Sequence, residues 1–329
     1  MAGTWHFVGF SRRFPRNKPV SARHGVIPVV IWRTHEKLLA LRDRCPHRGF
    51  PINEGFVCGE GKLHCAYHGW TFSRERQLLE RPGIAESCPT EARLSGFPVK
   101  ETAGCVFDGE SESSEIPRWL SDLDDPGMDS FALENSIAAG LPDVLENVLD
   151  PFHTHYLHGA FLRSNHTRHM VNVKATDSSG QRILAMEFFN EPRPTGWVSR
   201  LLEDARLKTL GRYVGPNVAV LEYWTKQGFA LRVTMALSKL GELSTTGVVI
   251  FQTARQGWFH SVKRAVLRLF AEHLMEQNKR ALEVLAANQA RFPNAGPWIG
   301  KEDIVLDTIR SLHRGQGLDS FERELEMRL

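Results

Sequence analysis

Two Cys/His pairs lie close together in the first quarter of the chain, in CPHRG at residues 45–49 and in CAYHGW at residues 65–70. Cys45 and His47 form a C-x-H pair, seventeen residues intervene, and Cys65 and His68 form a C-x-x-H pair. Two soft thiolates and two imidazoles can hold one tetrahedral zinc. They can also hold a [2Fe–2S] cluster, with the thiolates on one iron and the histidines on the other. A second concentration of ligands follows in NVLDPFHTHYLH, residues 147–158, where His153, His155 and His158 stand beside Asp150. Imidazoles with an adjacent carboxylate suit a metal site, because the carboxylate fixes the orientation of the ring that binds.

These groups need elements to position them. Residues 5–44 alternate short apolar runs with turn residues, as in HFVGF, VIPVVIW and KLLALRD, which predicts successive strands. Both cluster pairs then fall at the tips of hairpin-like loops, where Gly49 and Gly69 permit tight backbone near a metal. Further strands are expected within residues 94–107. The Ser/Glu/Asp/Pro-rich stretch from Asp108 to Gly127 has no apolar periodicity and reads as a linker, crossed by a short helical turn around Trp119.

The second half has a different character. A helical pattern at Leu141 to Leu149 leads into the histidine-rich segment, and strand-like runs follow at 169–176, 182–190, 217–225, 228–237 and 245–254. A long amphipathic helix is expected from Val262 to Ala290 and a shorter one from Lys301 to Leu312. Antiparallel strands crossed by one long helix make an α+β domain. On the motif itself, helical periodicity pairs His155 with His158. Bringing His153 and His158 together requires a break or a π-type turn.

With 329 residues the chain can form two cores, and 42% hydrophobic with 24% charged residues is ordinary globular composition. The longest apolar run, Val26 to Trp32, is too short to span a membrane and contains Pro28. Nothing ahead of Trp5 resembles a signal peptide, so a cytoplasmic location is the expectation. Beyond the two paired cysteines, Cys58, Cys88 and Cys105 are an odd remainder that argues against a disulfide framework. A net charge of +3 does not point to nucleic acid. The cluster of Arg12, Arg13, Arg16, Lys18 and Arg23 reads as solvated surface, with steering of an acidic electron-transfer protein as the functional alternative.

The segment from Cys45 to Trp70 resembles the Rieske cluster-binding motif in both pair spacings, in Arg48 and Gly49, and in Tyr67, Gly69 and Trp70. The whole chain resembles the oxygenase component of Rieske non-haem iron oxygenases, whose mononuclear-iron motif N-x-x-D-x-x-H-x-x-x-x-H is matched by Asn147, Asp150, His153 and His158. The resemblance implies an all-β Rieske domain at residues 1–118 and a helix-grip, START-like catalytic domain at 119–329. It also implies [2Fe–2S] ligands Cys45, His47, Cys65 and His68, and Fe(II) ligands His153 and His158, with His155 a neighbour. In the family the aspartate at the position of Asp150 bridges subunits, which here would link His153 to His68 of a neighbouring copy in a head-to-tail homotrimer.

A facial triad needs a third ligand. The family supplies it as an aspartate on the long C-terminal helix, five positions ahead of a glutamate. In EQNKRALE, residues 276–283, Asn278 occupies the aspartate's place and Glu283 follows, so the chain departs from the pattern. Leu267, Phe270, Leu274, Asn278, Ala281 and Leu285 recur at helical steps, placing Asn278 in an apolar stripe. Asp303 in KEDIVLD is the rival ligand, though Asp303, Asp307, Arg310 and Arg314 share a polar face.

The implied function is a terminal oxygenase that uses O2 to hydroxylate or oxidatively dealkylate a small organic substrate, as a monooxygenase rather than a dioxygenase. No G-x-G-x-x-G fingerprint is present, so NAD(P)H would enter through a separate reductase, with or without a ferredoxin. Neither nucleic acid nor membrane is an expected partner. Phe161, Leu162, Tyr223, Phe251 and Trp258 are apolar candidates for a pocket wall or for core. Two other classes stay open: a Rieske electron carrier whose second domain binds a ligand without chemistry, and a zinc protein.

Overall fold

The computed structural model describes residues 4–58, 61–83, 91–159, 170–178, 183–191, 206–255, 260–300, 303–316 and 320–328. It divides into two compact units, Met1–Asp124 and Asp125–Leu329.

The first unit is built from short antiparallel strands in three small sheets. Trp5–Phe10 pairs with Cys105–Gly109, which pairs with Val99–Thr102. Pro19–His24, Ile27–Arg33, Leu38–Arg42 and Gly96–Phe97 form the second sheet, and Phe56–Val57, Leu63–His64, Thr71–Phe72 and Leu78–Glu80 the third. The apolar alternation seen in residues 5–44 is the buried face of the first two sheets, with Val29, Val30, Ile31 and Trp32 fully enclosed. Cys45 and Cys65 belong to the core that also holds Trp32, Leu41, Ile52, Leu63 and Phe72.

The stretch read as a linker is instead largely part of this unit. Asp108 is fully buried in the strand Cys105–Gly109, with Oδ1 2.9 Å from His24 Nδ1. The helical turn Arg118–Ser121 sets Trp119 edge-on against Phe107, ring centroids 5.7 Å apart. Thr102 Oγ1 donates to Asp124 Oδ1 at 2.5 Å, and Lys100 pairs with the same carboxylate. Polar composition suggested solvent, but these side chains find partners far along the chain.

The second unit carries one eight-stranded antiparallel sheet in the order Met128–Ile137, Ser244–Ala254, Gly228–Gly241, Val218–Thr225, Arg206–Val214, Ile183–Glu191, Met170–Ser178 and Phe321–Arg328. The five expected strand runs are present. Met128–Ile137, Arg206–Val214 and Phe321–Arg328 were not foreseen. Helices Leu141–Leu149, His260–Arg291 and Ile304–His313 complete the α+β arrangement.

The helix Leu141–Leu149 buries Leu141, Val144, Leu145 and Leu149, an i, i+3, i+4, i+8 stripe. That stripe packs with Leu184, Met186, Phe188, Tyr213 and Ile309. The long helix His260–Arg291 contributes to two cores. Ala271 packs with Leu133, Val233, Val249 and Phe251, while Leu282 and Ala286 join the other cluster. Its far end departs from the expected stripe: Leu285 is 44% exposed, and burial continues on Leu282 and Ala286. Glu283 anchors the helix by accepting from Ala138 N at 3.1 Å. No helix among the described residues is long and apolar enough to cross a membrane.

Candidate active site

The cluster loops repeat one design. Gly49 N donates to Cys45 O and Gly69 N to Cys65 O, both at 2.9 Å, while Cys45 N and Cys65 N donate to Phe50 O and Trp70 O. Each loop closes on a glycine with positive φ, +77° at Gly49 and +68° at Gly69. A Cβ on Gly69 would lie 2.9 Å from Pro82 Cγ, so both conformation and space require glycine there.

The loops bring the four predicted ligands together. Rings of His47 and His68 meet edge to face at 4.7 Å, and His47 stacks on Trp70 at 4.5 Å with planes 3° apart. Burial, and after it the adjacent Cys65 thiol, pushes the Cys45 thiol above its ordinary value. Such a thiol keeps its proton unless a bound cation displaces it. The Nδ1 of His47 is buried without a hydrogen-bond partner. Two enclosed thiols, two converging imidazoles and an orphaned ring nitrogen fit a [2Fe–2S] cluster.

In the second unit the helix Leu141–Leu149 ends at Asp150, which then caps the next turn. Phe152 N donates to Asp150 Oδ1 at 2.8 Å and His153 N to Oδ2 at 3.2 Å, starting the single helical turn His153–Tyr156. Helix stops there, and the turn that follows brings His158 back toward His153, ring centroids 5.3 Å apart and 77° between planes. The break needed to unite these histidines is therefore present. Asp150 Oδ2 also stands 3.4 Å from His153 Nδ1. His155 is 4% exposed but is not among the cavity-lining residues.

His158 faces the long helix. Its Nδ1 lies 2.6 Å from Gln277 Oε1 and its Nε2 lies 3.1 Å from Asn278 Oδ1. Burial lowers the pKa of His158, so the ring is neutral and carries one proton. The shorter contact assigns that proton to Nδ1, leaving an Nε2 lone pair facing the amide oxygen. Two lone-pair donors so placed suit a cation, since ligands at about 2.1 Å and right angles are themselves about 3 Å apart. Asp303 is placed elsewhere: it precedes the helix Ile304–His313, accepts from Gly300 N at 2.8 Å and does not line the cavity. Among the described residues, no three His, Cys, Asp or Glu side chains are arranged to hold one metal ion.

A cavity of about 200 Å³ opens on these groups, with His153, His158, Asn278, Asn147 and Asp150 in its wall. Tyr223 and Phe251 line it as well; Phe161, Leu162 and Trp258 lie outside the described residues. Sequence reasoning missed Gln277, whose only signal is adjacency to Asn278, and missed Arg206 and Thr209, which lie on an unforeseen strand.

Residues 4–98 match the family model described as "Rieske [2Fe-2S] domain". The chain therefore carries a Rieske [2Fe-2S] domain over those residues. The zinc reading of the Cys/His pairs is set aside by that match. Pheophorbide a oxygenase of Arabidopsis thaliana is 29% identical over 170 residues, covering 47% of this chain and 32% of the relative. The 3-chlorobenzoate-3,4-dioxygenase oxygenase subunit of Comamonas testosteroni is 29% identical over 189 residues, covering 53% of this chain and 43% of the relative. These matches span less than half the length of either relative. A crystal structure of dicamba monooxygenase bound to dicamba superposes with a TM-score of 0.75 at 19% identity, over 95% of this chain and 96% of that one.

Proposed function

We propose that the protein is a terminal oxygenase acting on a small organic substrate, by hydroxylation or oxidative dealkylation, with a monooxygenase outcome. Cys45, His47, Cys65 and His68 would hold the [2Fe–2S] cluster, and His153, His158 and Asn278 a mononuclear Fe(II). When bound, the cluster supplies single electrons and the ferrous ion supplies dioxygen activation.

The residues of the chain do the positioning. Gln277 fixes the His158 tautomer, and Asp150 shapes the turn that presents His153. Asp150 also stands beside His153 Nδ1, which has no hydrogen-bond partner of its own. We assign Asp150 the further role of joining this site to His68 of a second copy, which makes the working form an oligomer, a homotrimer in this reading. The apolar wall built from Leu221, Val233, Val249 and Phe251 orients substrate and excludes water. Electrons would come from a separate NAD(P)H-dependent reductase, with or without a ferredoxin.

The observation that carries this reading is the convergence of His153, His158 and Asn278 on one apolar cavity in a chain with a cluster domain. Its test is substrate-dependent oxygen consumption with a surrogate reductase, scored by 18O entering product. Reduction of the cluster with no oxygen uptake across a broad panel of small aromatic and alicyclic compounds would contradict it. Asn278 gives one specific reason to keep the electron-carrier reading in play, since a neutral amide binds iron less firmly than a carboxylate.

A further inference from the structure

A hydrogen-bonded chain leads from the cavity to the outside of the long helix. Leu267, Ala271, Leu274 and Asn278 line the cavity, and these steps of three and four mark the inner face of His260–Arg291. Gln277 sits at the border of that face, half-buried, while His273 lies one turn back and is exposed. Residues four apart on a helix are neighbours, and Gln277 Nε2 donates to His273 Nε2 at 3.1 Å. At its other end the same amide places Oε1 2.6 Å from His158 Nδ1.

An amide is a connector with two unlike ends. Its oxygen only accepts and its NH2 only donates, so each imidazole it touches must show the complementary nitrogen. Oxygen toward His158 requires an N–H at His158 Nδ1, which leaves the Nε2 lone pair facing Asn278 Oδ1 at 3.1 Å. The NH2 then points at His273 and requires a lone pair at His273 Nε2. Turning the amide over sets a donor against the His158 Nδ1 proton, and the ring answers by moving that proton to Nε2. In that state the nitrogen beside Asn278 has no lone pair to give.

We propose that His273 is a positioning residue for the candidate iron site, a role that rests on the oxygenase reading of that site. By accepting from Gln277, it holds the amide in the orientation that keeps His158 Nε2 free to bind a cation. His273 does not line the cavity, so it acts through Gln277. The metal-binding state of His158 is thereby set from outside the cavity, by which kind of group stands at position 273.

Fixing the outer partner as an acceptor or as a donor tests this. At neutral pH His273→Glu can only accept from Gln277, and His273→Lys can only donate to it. The affinity of the mononuclear site for ferrous iron, read on the full chain by anaerobic competition with a chelator, stays at the wild-type level in His273→Glu. It falls about tenfold in His273→Lys. Gln277→Glu supplies the control, because a carboxylate accepts at both oxygens and needs no outer partner to orient it. In that background neither change at His273 has an effect, a pattern that a charge acting through space or a general loss of helix stability would not produce. Wild-type affinity in His273→Lys, a matching loss in His273→Glu, or a His273→Lys loss that persists with Gln277→Glu overturns the proposal and leaves the iron site standing. Wild-type protein that takes up no ferrous iron beyond its cluster overturns the proposal and the oxygenase reading together.

Discussion

Nε2 of His158 and Oδ1 of Asn278 stand 3.1 Å apart although 120 residues separate them in sequence. One comes from a turn after a broken helix and the other from the middle of the long helix His260–Arg291. With the ring proton on Nδ1 toward Gln277, the pair presents two lone pairs to a common point. Asn278→Asp restores a charged donor and keeps or raises mononuclear iron, whereas Asn278→Leu removes the oxygen and loses it. Iron per chain after anaerobic ferrous reconstitution checks this. Unchanged iron in the leucine variant takes Asn278 out of the ligand set.

Gln277 acts through His158 rather than on a metal. Gln277→Leu frees the ring to adopt the other tautomer and lowers iron affinity by about 10- to 100-fold, the usual cost of removing such a partner. A competition titration with a chelator reads the change. Gln277→Glu keeps an acceptor at that position and recovers most of the affinity.

What could be read in the sequence was what depends on short spacing. The cluster loops are local, each closed by a carbonyl four residues before its glycine, so CPHRG and CAYHGW display them directly. The motif histidines were legible through a fixed spacing, and the break in the helix agrees with it. Long-range polar pairing was not legible. Asp108 looked like linker because its partner, His24, lies 84 residues away. Phe321–Arg328 is so charged that the apolar alternation of Phe321, Leu325 and Met327 did not stand out as an edge strand pairing with Met170–Ser178. Arg206 was hidden doubly, on a strand with many polar residues and behind a bulge that reverses its parity.

Gly69 tests the cluster loop by backbone alone. Gly69→Ala must adopt φ +68° with its Cβ against Pro82, which costs about 1–2 kcal/mol for the conformation alone. The expected result is a lower melting temperature and faster bleaching of the visible cluster spectrum. Gly83 also has positive φ, +87°, but a Cβ there meets nothing within 4 Å. Gly83→Asn, which tolerates that conformation, leaves both readouts nearly unchanged.

Glu146 makes stability depend on pH. Burial first, and then the nearby Asp150 carboxylate, raises its pKa to about 7. The folded chain therefore holds a proton that the unfolded chain releases above about pH 4.5. The stabilising preference is complete below that pH and is lost as pH rises toward about 7, a change on the order of 2–3 kcal/mol. Glu146→Gln removes the dependence. Its melting temperature exceeds that of the wild type by about 5 °C at pH 8, with little difference at pH 4.5. Parallel melting curves for the two proteins across that range would contradict the assignment.

The most direct test of two iron sites in one chain is iron and acid-labile sulfide per chain, on protein reconstituted anaerobically with ferrous iron, alongside the electron paramagnetic resonance spectrum after reduction. The expected stoichiometry is about three irons and two sulfides with a Rieske-type signal, two irons in the cluster held by two Cys and two His and one at His153, His158 and Asn278. Two irons and two sulfides, with no further iron after reconstitution, would contradict the oxygenase account and leave an electron carrier.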